Sequence, residues 1–219
     1  MYSGDYSLGG STAAINKTLK QTFLLVSGAL GVTAITSYLS LGIHLSLMSA
    51  IVLMLVGFGL IFVTIKQRNS VWGIVGLLAF AVIEGLSISP LLNSVLGMRN
   101  GSTIVGNAAL LTAFATAACS VYAMTSKRDF SRLGGFLFAG LIIMLVASII
   151  GLFFHSPVFH LVISAVSALI FTGYILYDVS NVVNGREDNY IMAALGIFLD
   201  IMGLFINLLR ILSILNSDD

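Results

Sequence analysis

The sequence predicts an all-α, polytopic membrane protein with seven transmembrane helices. Hydrophobic residues make up 58% of the chain and charged residues only 9%, whereas soluble domains carry roughly 25% charged residues. A helix needs about 20 apolar residues to cross a bilayer core. Six such runs lie near residues 21–41, 45–65, 72–92, 104–125, 134–154 and 158–179. Backbone that faces lipid must satisfy its own hydrogen bonds, so these runs are predicted to be helices.

A seventh apolar run, 190–215, contains the polar residues Asp200, Asn207 and Arg210. Hydropathy alone leaves this run open between a buried span and a re-entrant segment, and we favour a span. The first 18 residues are small and polar and lack the apolar core of a cleavable signal. We therefore expect a flexible cytoplasmic tail over 1–18 and one seven-helix transmembrane domain over 19–216.

The basic residues are distributed unevenly between the two sides of the predicted bundle. Only Arg99 and Arg210 fall on one side. The others fall on the opposite side: Lys17, Lys20, Lys66, Arg68, Lys127, Arg128, Arg132 and Arg186. Because cytoplasmic loops carry the excess of Lys and Arg, the N-terminus is expected in the cytoplasm. Seven spans then place the C-terminus outside, and an even number of spans would reverse that. No basic cluster is long enough to follow a nucleic-acid backbone, so nucleic acid is not expected as a partner.

Three acidic residues, Glu84, Asp178 and Asp200, lie inside the apolar runs. A carboxylate in mid-membrane costs roughly 2.5 to 3.5 kcal/mol, so each must face the bundle interior, a partner or water. At 1.5 Å per residue, Asp178 lies about 9 Å and Asp200 about 15 Å below the same surface. They belong to consecutive antiparallel helices, so the two carboxyl groups can approach each other. Glu84 is about 20 Å deep.

Polar patches with helical spacing surround the two aspartates. The patch on the sixth run consists of Tyr174, Tyr177, Asp178 and Asn181. The patch on the seventh run consists of Gly196, Asp200, Gly203, Asn207 and Arg210. For the glycines and Asn207, a packing role at a helix interface is as well supported as a functional one. Arg210 is expected to extend to the outer interface.

Two neighbouring carboxylates at low dielectric do not readily ionise together, so one proton is expected to be shared between them. Once deprotonated, the pair would attract a cation, and oxygen ligands suit calcium. We therefore predict that Asp178 and Asp200 form a pH sensor, a gate and a transient calcium site. Glu84, Asn181 and Asn207 are the candidates for an ion path. No resident cofactor is expected, and calcium is the expected permeant ion. A proton-coupled transporter stays open as an alternative.

Pro90, in the run EGLSISPLL, is predicted to kink the third helix because its missing N–H frees a carbonyl one turn upstream. The serines beside the kink could line a passage or could serve packing alone. No Walker-type loop, HExxH motif or nucleophile–base pair occurs in the sequence. The chain is therefore not expected to be an enzyme.

Four strings together resemble the Bax inhibitor-1 family (the transmembrane BAX inhibitor motif), especially its bacterial YccA-type branch. They are EGLSISPLL (84–92), RDFSRLGGFLFAG (128–140), LYDVSNVVNG (176–185) and FLDIMGLFINLLRIL (198–212). The last two are the most specific, because each places one aspartate within an apolar helix. The resemblance implies a seven-helix fold in which six helices surround the last one. It also implies a pH-dependent calcium leak governed by an aspartate pair that matches Asp178 and Asp200.

The sequence departs from the family pattern in two places. Some members have an arginine on the second helix that latches the aspartate pair, whereas residues 45–65 here contain no charge. The basic C-terminal tail of eukaryotic members is missing, which favours the bacterial inner membrane. The YccA-type resemblance further implies restraint of a membrane-bound ATP-dependent protease, with the N-terminal tail involved. The alternative function is therefore that of a membrane interaction protein.

Overall fold

The computed structural model describes residues 12–43, 45, 47–126, 128–151, 153 and 156–216. Within these residues the chain is helical and contains no strand. The helices are α1 (Thr12–Leu39), α2 (Leu47–Lys66), α3 (Val71–Leu96), α4 (Gly101–Thr125), α5 (Gly134–Gly151), α6 (Pro157–Val183), α7 (Tyr190–Leu215) and a short 3-10 helix, η1 (Ser131–Leu133).

The helices coincide with the predicted apolar runs except at the start of the chain. α7 is one continuous helix of 26 residues, which supports the choice of a span over a re-entrant segment. α1 begins at Thr12, so residues 12–18 of the predicted tail are helical. The rest of that tail, residues 1–11, lies outside the described residues.

The outer surface of the bundle is apolar. α1, α3, α4, α6, α7 and the segment Ser131–Gly151 are each long and apolar enough to cross a membrane, and Ile51–Lys66 is a shorter apolar helical segment. Large hydrophobic side chains point outward, among them Phe62, Phe114 and Phe153, with 69%, 76% and 78% of their surface exposed. Such a surface is stable only against lipid. The chain is therefore a multi-pass membrane protein.

α7 forms the centre of the bundle. Of its most apolar stretch 61% is buried, against 6% for the stretch containing α5. In the described parts of the chain, α7 packs against α1, α2, α3, α4 and α6, whereas α5 packs on α6 and η1. The last helix is therefore central, as the family resemblance implies. It is surrounded by five helices rather than six, because α5 lies outside α6.

The start of α1 and the α2–α3 connection meet the α6–α7 connection at one end of the bundle. The side-chain amide of Asn189 donates to the backbone oxygen of Arg68 at 2.9 Å. The hydroxyl of Thr18 lies 3.5 Å from the backbone oxygen of Asp188. We call this end of the bundle the basic end, because the sequence places most of its Lys and Arg residues there.

The α4–α5 connection reaches the same end through an ion pair between Asp129 and Arg186. The backbone N–H of Ser131 donates to Asp129 at 3.0 Å, and together with the nearby Arg186 it holds the pKa of Asp129 below its usual range. The backbone N–H of Phe130 donates to the hydroxyl of Ser180 on α6. These contacts hold the connection between α4 and α5 against the end of α6.

α3 continues through Pro90 as a single helix from Val71 to Leu96. Pro90 has no N–H to donate to the backbone oxygen of Leu86, four residues earlier. The hydroxyl of Ser89 donates to that oxygen at 2.8 Å, and Ser89 is fully buried. Ser89 thus satisfies the carbonyl that Pro90 leaves free, which is a different role from the two predicted for the serines beside the kink, lining a passage or packing.

Candidate functional site

The carboxyl groups of Asp178 and Asp200 lie within hydrogen-bonding reach of each other in the centre of the bundle. Asp200 is 6% exposed and Asp178 is partly buried. Side chains in a helix lean toward its N-terminus, and α6 and α7 run in opposite directions. Asp178 therefore leans away from the basic end while Asp200 leans toward it. Their side chains converge although the two residues start at different depths.

Two glycines on α7 show how α7 is aligned against α6. A Cβ atom at Gly196 would overlap Oδ2 of Asp178, and a Cβ atom at Gly203 would lie 2.5 Å from the ring of Phe171. Gly196 on α7 thus lies opposite Asp178 on α6, and Gly203, seven residues later, lies opposite Phe171, seven residues earlier. The absence of a side chain at Gly196 provides the space in which the carboxyl group of Asp178 lies.

Two tyrosines and one further acid surround the aspartates. By the same register Tyr174 faces Asp200, and its hydroxyl lies close enough to both aspartates to interact with them electrostatically. Its ring packs edge-on against Tyr177, with 6.3 Å between the ring centroids. Glu187, in the α6–α7 connection, interacts electrostatically with Asp178. The aspartate pair therefore has tyrosine side chains beside it on α6 and a further carboxyl group, that of Glu187, toward the basic end.

No Lys or Arg in the described residues forms an ion pair with either aspartate. Oδ2 of Asp200 is buried and has no hydrogen-bond partner among the described residues. Two ionised carboxylates at this separation would repel, whereas one proton between them makes a carboxyl–carboxylate hydrogen bond. The arrangement is chemically suited to holding and releasing a proton.

The aspartate pair alone does not provide a complete calcium coordination shell. Calcium takes six to eight oxygen ligands. The described part of the chain contains no group of three His, Cys, Asp or Glu side chains able to hold a metal ion.

The three predicted ion-path residues lie on three different helices, α3, α6 and α7. The amide of Asn207 donates to the backbone oxygen of Gly203, 2.7 Å away on its own helix. Asn181 is partly buried on α6, one turn nearer the basic end than Asp178. Glu84 is partly buried on α3. The amide of Asn207 thus has a structural contact within its own helix.

One polar feature of the structure was not predicted. Thr112, Thr116 and Ser120 on α4 line a cavity that α1, α3 and α7 complete. Their spacing of four residues places them on one face of a helix. That spacing was visible in the sequence, and it was the signal that could have identified them.

The contacts of the aspartate pair involve the same strings on which the family resemblance depends. The family model described as "Inhibitor of apoptosis-promoting Bax1" matches residues 15–217. The chain belongs to the Bax inhibitor-1 family. The match covers all seven helices except the first residues of α1, so family membership applies to the whole membrane domain.

Several bacterial proteins resemble the chain over nearly its full length. A membrane protein of Vibrio cholerae is 42% identical over 209 residues, which cover 95% of this chain and 94% of that protein. A protein of Pseudomonas aeruginosa is 34% identical over 222 residues, covering the whole of both chains. A protein of Escherichia coli K12 named "Modulator of FtsH protease YccA" is 36% identical over 209 residues, covering 95% and 94%. The predicted YccA-type resemblance is thus confirmed.

Proposed function

We propose that the chain is a membrane interaction protein of the bacterial inner membrane that modulates an ATP-dependent, membrane-bound protease of the FtsH type. The observation that carries this proposal is its 36% identity to YccA over 95% of the chain. The same similarity supports the inner-membrane location, since a second YccA sequence is named an inner membrane protein. The described structure offers two kinds of surface to a partner, namely the lipid-exposed helix faces and the basic end.

The contacts at the basic end suggest how a partner could be engaged. The α1 start, the α2–α3 connection and the α4–α5 connection all touch the α6–α7 connection there. A protein that binds residues 1–11, which precede α1, would therefore lie beside a surface built from four segments of the chain.

The test is capture of the protease together with its degradation rate. Full-length chain carrying a C-terminal tag is expected to retain an FtsH-type protease from solubilised membranes and to change the rate at which that protease degrades a membrane substrate. Deletion of residues 3–11 removes most of the segment that precedes α1, which begins at Thr12. A chain in which these residues are replaced by a Gly/Ser sequence of equal length is the matched control for length. If the full-length chain neither retains the protease nor alters degradation, the proposal is wrong.

The acid pair supports a second candidate function, a pH-sensitive leak for cations such as calcium. The supporting observation is that two carboxyl groups on the final helices face each other without a basic partner in the described chain. With a proton between them the carboxyl groups attract each other, and without it they repel and attract a cation instead. Proton and cation would then compete for one site between α6 and α7.

Flux measurements in liposomes test the leak. Calcium entry is expected to depend on pH in the unmodified protein and to lose that dependence in Asp178→Asn and Asp200→Asn. Asp129→Asn removes an acid at the surface of the basic end, so it serves as the matched control and should keep the pH profile. A flux that is indifferent to pH, or unchanged in both Asn variants, would exclude the gate.

The same experiment separates a leak from a proton-coupled transporter. A leak only dissipates a calcium gradient, whereas a coupled transporter accumulates calcium against its gradient when a proton gradient is imposed. Because the tail deletion leaves both aspartates in place, loss of protease capture with flux intact would show that the two candidate functions are separable.

A further inference from the structure

The exposed part of Asp178 lies on one side of α6. Successive residues of a helix are offset by about 100°, so the helical neighbours of Asp178 form two groups. The group on one side is buried, with 0 to 1% exposure: Ile175, Val179 and Val182. The group on the other side is partly exposed: Tyr174, Tyr177 and Asn181. We call this second group the tyrosine side of α6. Because Asp178 is itself partly exposed, the acid pair is reached from the tyrosine side.

The tyrosine side leads to the basic end of the bundle. Asn181 lies one turn nearer that end than Asp178, and its backbone oxygen accepts hydrogen bonds from the N–H groups of Arg186 at 2.8 Å and Glu187 at 3.2 Å. Gly185, with φ at 67°, makes the sharp turn that this requires. The connection between α6 and α7 therefore folds back on α6 and brings Glu187 near Asp178. A carboxyl group thus stands where the route to the acid pair begins.

The ring of Tyr177 fills the tyrosine side between α5 and the acid pair. Its Cε2, Oη and Cζ atoms lie 2.9 to 3.1 Å from the position that a Cβ atom at Gly134 would take. The ring therefore lies directly against the backbone of the first residue of α5. On its other side it packs edge-on against Tyr174, with 6.3 Å between the ring centroids. Tyr177 thus connects the start of α5 with the tyrosine whose hydroxyl interacts with both aspartates.

α5 is held less firmly than the other long helices. Among the six described segments long enough to span a membrane, the one that contains α5 is the least buried, at 6%. In the described chain α5 packs only against α6 and η1. Its approach to α6 depends on glycines, since Leu137 of α5 lies 2.7 Å from the position of a Cβ atom at Gly173 of α6. A segment with few buried contacts separates from its neighbours at a low cost in free energy.

We propose that Tyr177 and the start of α5 form a cover that limits the entry of water and cations to the acid pair. With α5 against α6, the ring of Tyr177 is held between Gly134 and Tyr174, and Asp178 is only partly exposed. When the start of α5 moves away from α6, the ring loses its support at Gly134 and the tyrosine side opens. The cover goes beyond the proposed function, because it concerns access to the acid pair and does not require a protease partner.

The reactivity of the thiol in Asp178→Cys measures this access. The reference protein is the full-length chain with Cys119→Ser and Asp178→Cys, reconstituted in liposomes. The rate at which iodoacetamide alkylates its thiol reports how well a small reagent in water reaches the side chain. Tyr177→Ala removes the ring and should raise this rate severalfold. Tyr177→Phe keeps the ring and removes only the hydroxyl, so it should leave the rate nearly unchanged.

Two adjacent glycines test the part played by α5. Gly134→Ala, made in the same reference protein, places a Cβ atom 2.9 to 3.1 Å from the ring of Tyr177. It should push the start of α5 away from α6 and raise the alkylation rate. Gly135→Ala is the matched control, because a Cβ atom there has no atom within 4 Å, and it should leave the rate unchanged. Equal rates in the two variants would remove α5 from the cover and overturn the proposal.

Cys119 on α4, which is partly buried, shows whether a variant loosens the whole bundle. In a chain that keeps Cys119 and Asp178, Tyr177→Ala should leave the alkylation rate of Cys119 unchanged. An equal acceleration at Cys119 would overturn the proposal, because the ring would then stabilise the bundle in general. A rate in Asp178→Cys that Tyr177→Ala does not change would overturn it as well. Neither measurement depends on calcium flux or on protease capture, so the cover is tested separately from both candidate functions.

Discussion

Asp200→Asn changes the chemistry of the acid pair while preserving its shape. In the unmodified protein a rise in pH removes the proton between Asp178 and Asp200 and leaves two negative charges facing each other. Two unit charges about 4 Å apart at an effective dielectric constant of 20 repel by about 4 kcal/mol. Through this repulsion the folded state should lose about this amount of stability as pH rises. In the variant, the side-chain amide that replaces the carboxyl group of Asp200 can donate to the carboxylate of Asp178 without a shared proton, so the loss should disappear.

Thermal unfolding in detergent from about pH 5 to about pH 9 measures this difference. For a chain of this size 1 kcal/mol corresponds to about 2 to 4 °C. The midpoint of the unmodified protein should thus fall by roughly 8 to 16 °C with rising pH, while that of Asp200→Asn stays nearly constant. Asp129→Asn is a suitable control, because the pKa of Asp129 is held below its usual range and that carboxyl stays ionised throughout the interval. Parallel pH profiles of the unmodified protein and Asp200→Asn would refute the shared proton.

Two other substitutions test the packing and the basic end. Gly203→Ala places a Cβ atom 2.5 to 2.7 Å from three ring atoms of Phe171. The overpacking should destabilise the folded state by about 1 to 3 kcal/mol, whereas the higher helix propensity of alanine returns about 1 kcal/mol. The unfolding midpoint is therefore predicted to fall. Gly28→Ala, with no atom within 4 Å, should leave the midpoint unchanged or raise it, and equal behaviour of the two would contradict the inferred contact. Asp129→Asn removes the ion pair with Arg186 and should speed proteolysis of the α4–α5 connection. In the unmodified protein the α4–α5 connection should become more sensitive to protease only as pH falls below about 4, because the pKa of Asp129 is lowered. Proteolysis rates that change neither with Asp129→Asn nor with this fall in pH would contradict the role of the ion pair.

The membrane fold follows from composition and run length, because only helices satisfy their backbone hydrogen bonds in lipid. The approximate extents of the helices, except for the start of α1, and the choice of a span for α7 were therefore predictable. The position of α5 was not. Its sequence is as apolar as that of a buried helix, and hydropathy does not distinguish a helix surrounded by protein from one surrounded by lipid. The resemblance to the Bax inhibitor-1 family implied six helices around α7, whereas α5 packs on α6.

The meeting of Asp178 and Asp200 was predictable for a different reason. The cost of an isolated acid in lipid and the antiparallel order of α6 and α7 restrict where the two carboxyl groups can lie. The role of Gly196 in accommodating Asp178 required the register between the helices, which sequence spacing alone does not give. Asn207 illustrates the limit of such reasoning, because its amide donates to its own helix and a polar residue on the same face need not belong to the same site.

We infer that Asp178 and Asp200 hold one proton between them in the folded protein. Infrared spectroscopy of the carboxyl C=O stretch in reconstituted membranes at neutral pH measures this directly, with Glu84→Gln as the control for the other intramembrane acid. We predict a protonated-carboxyl band that persists in Glu84→Gln and disappears in both Asp178→Asn and Asp200→Asn. A spectrum without that band, or a band that survives in both aspartate variants, would show that Asp178 and Asp200 do not share a proton.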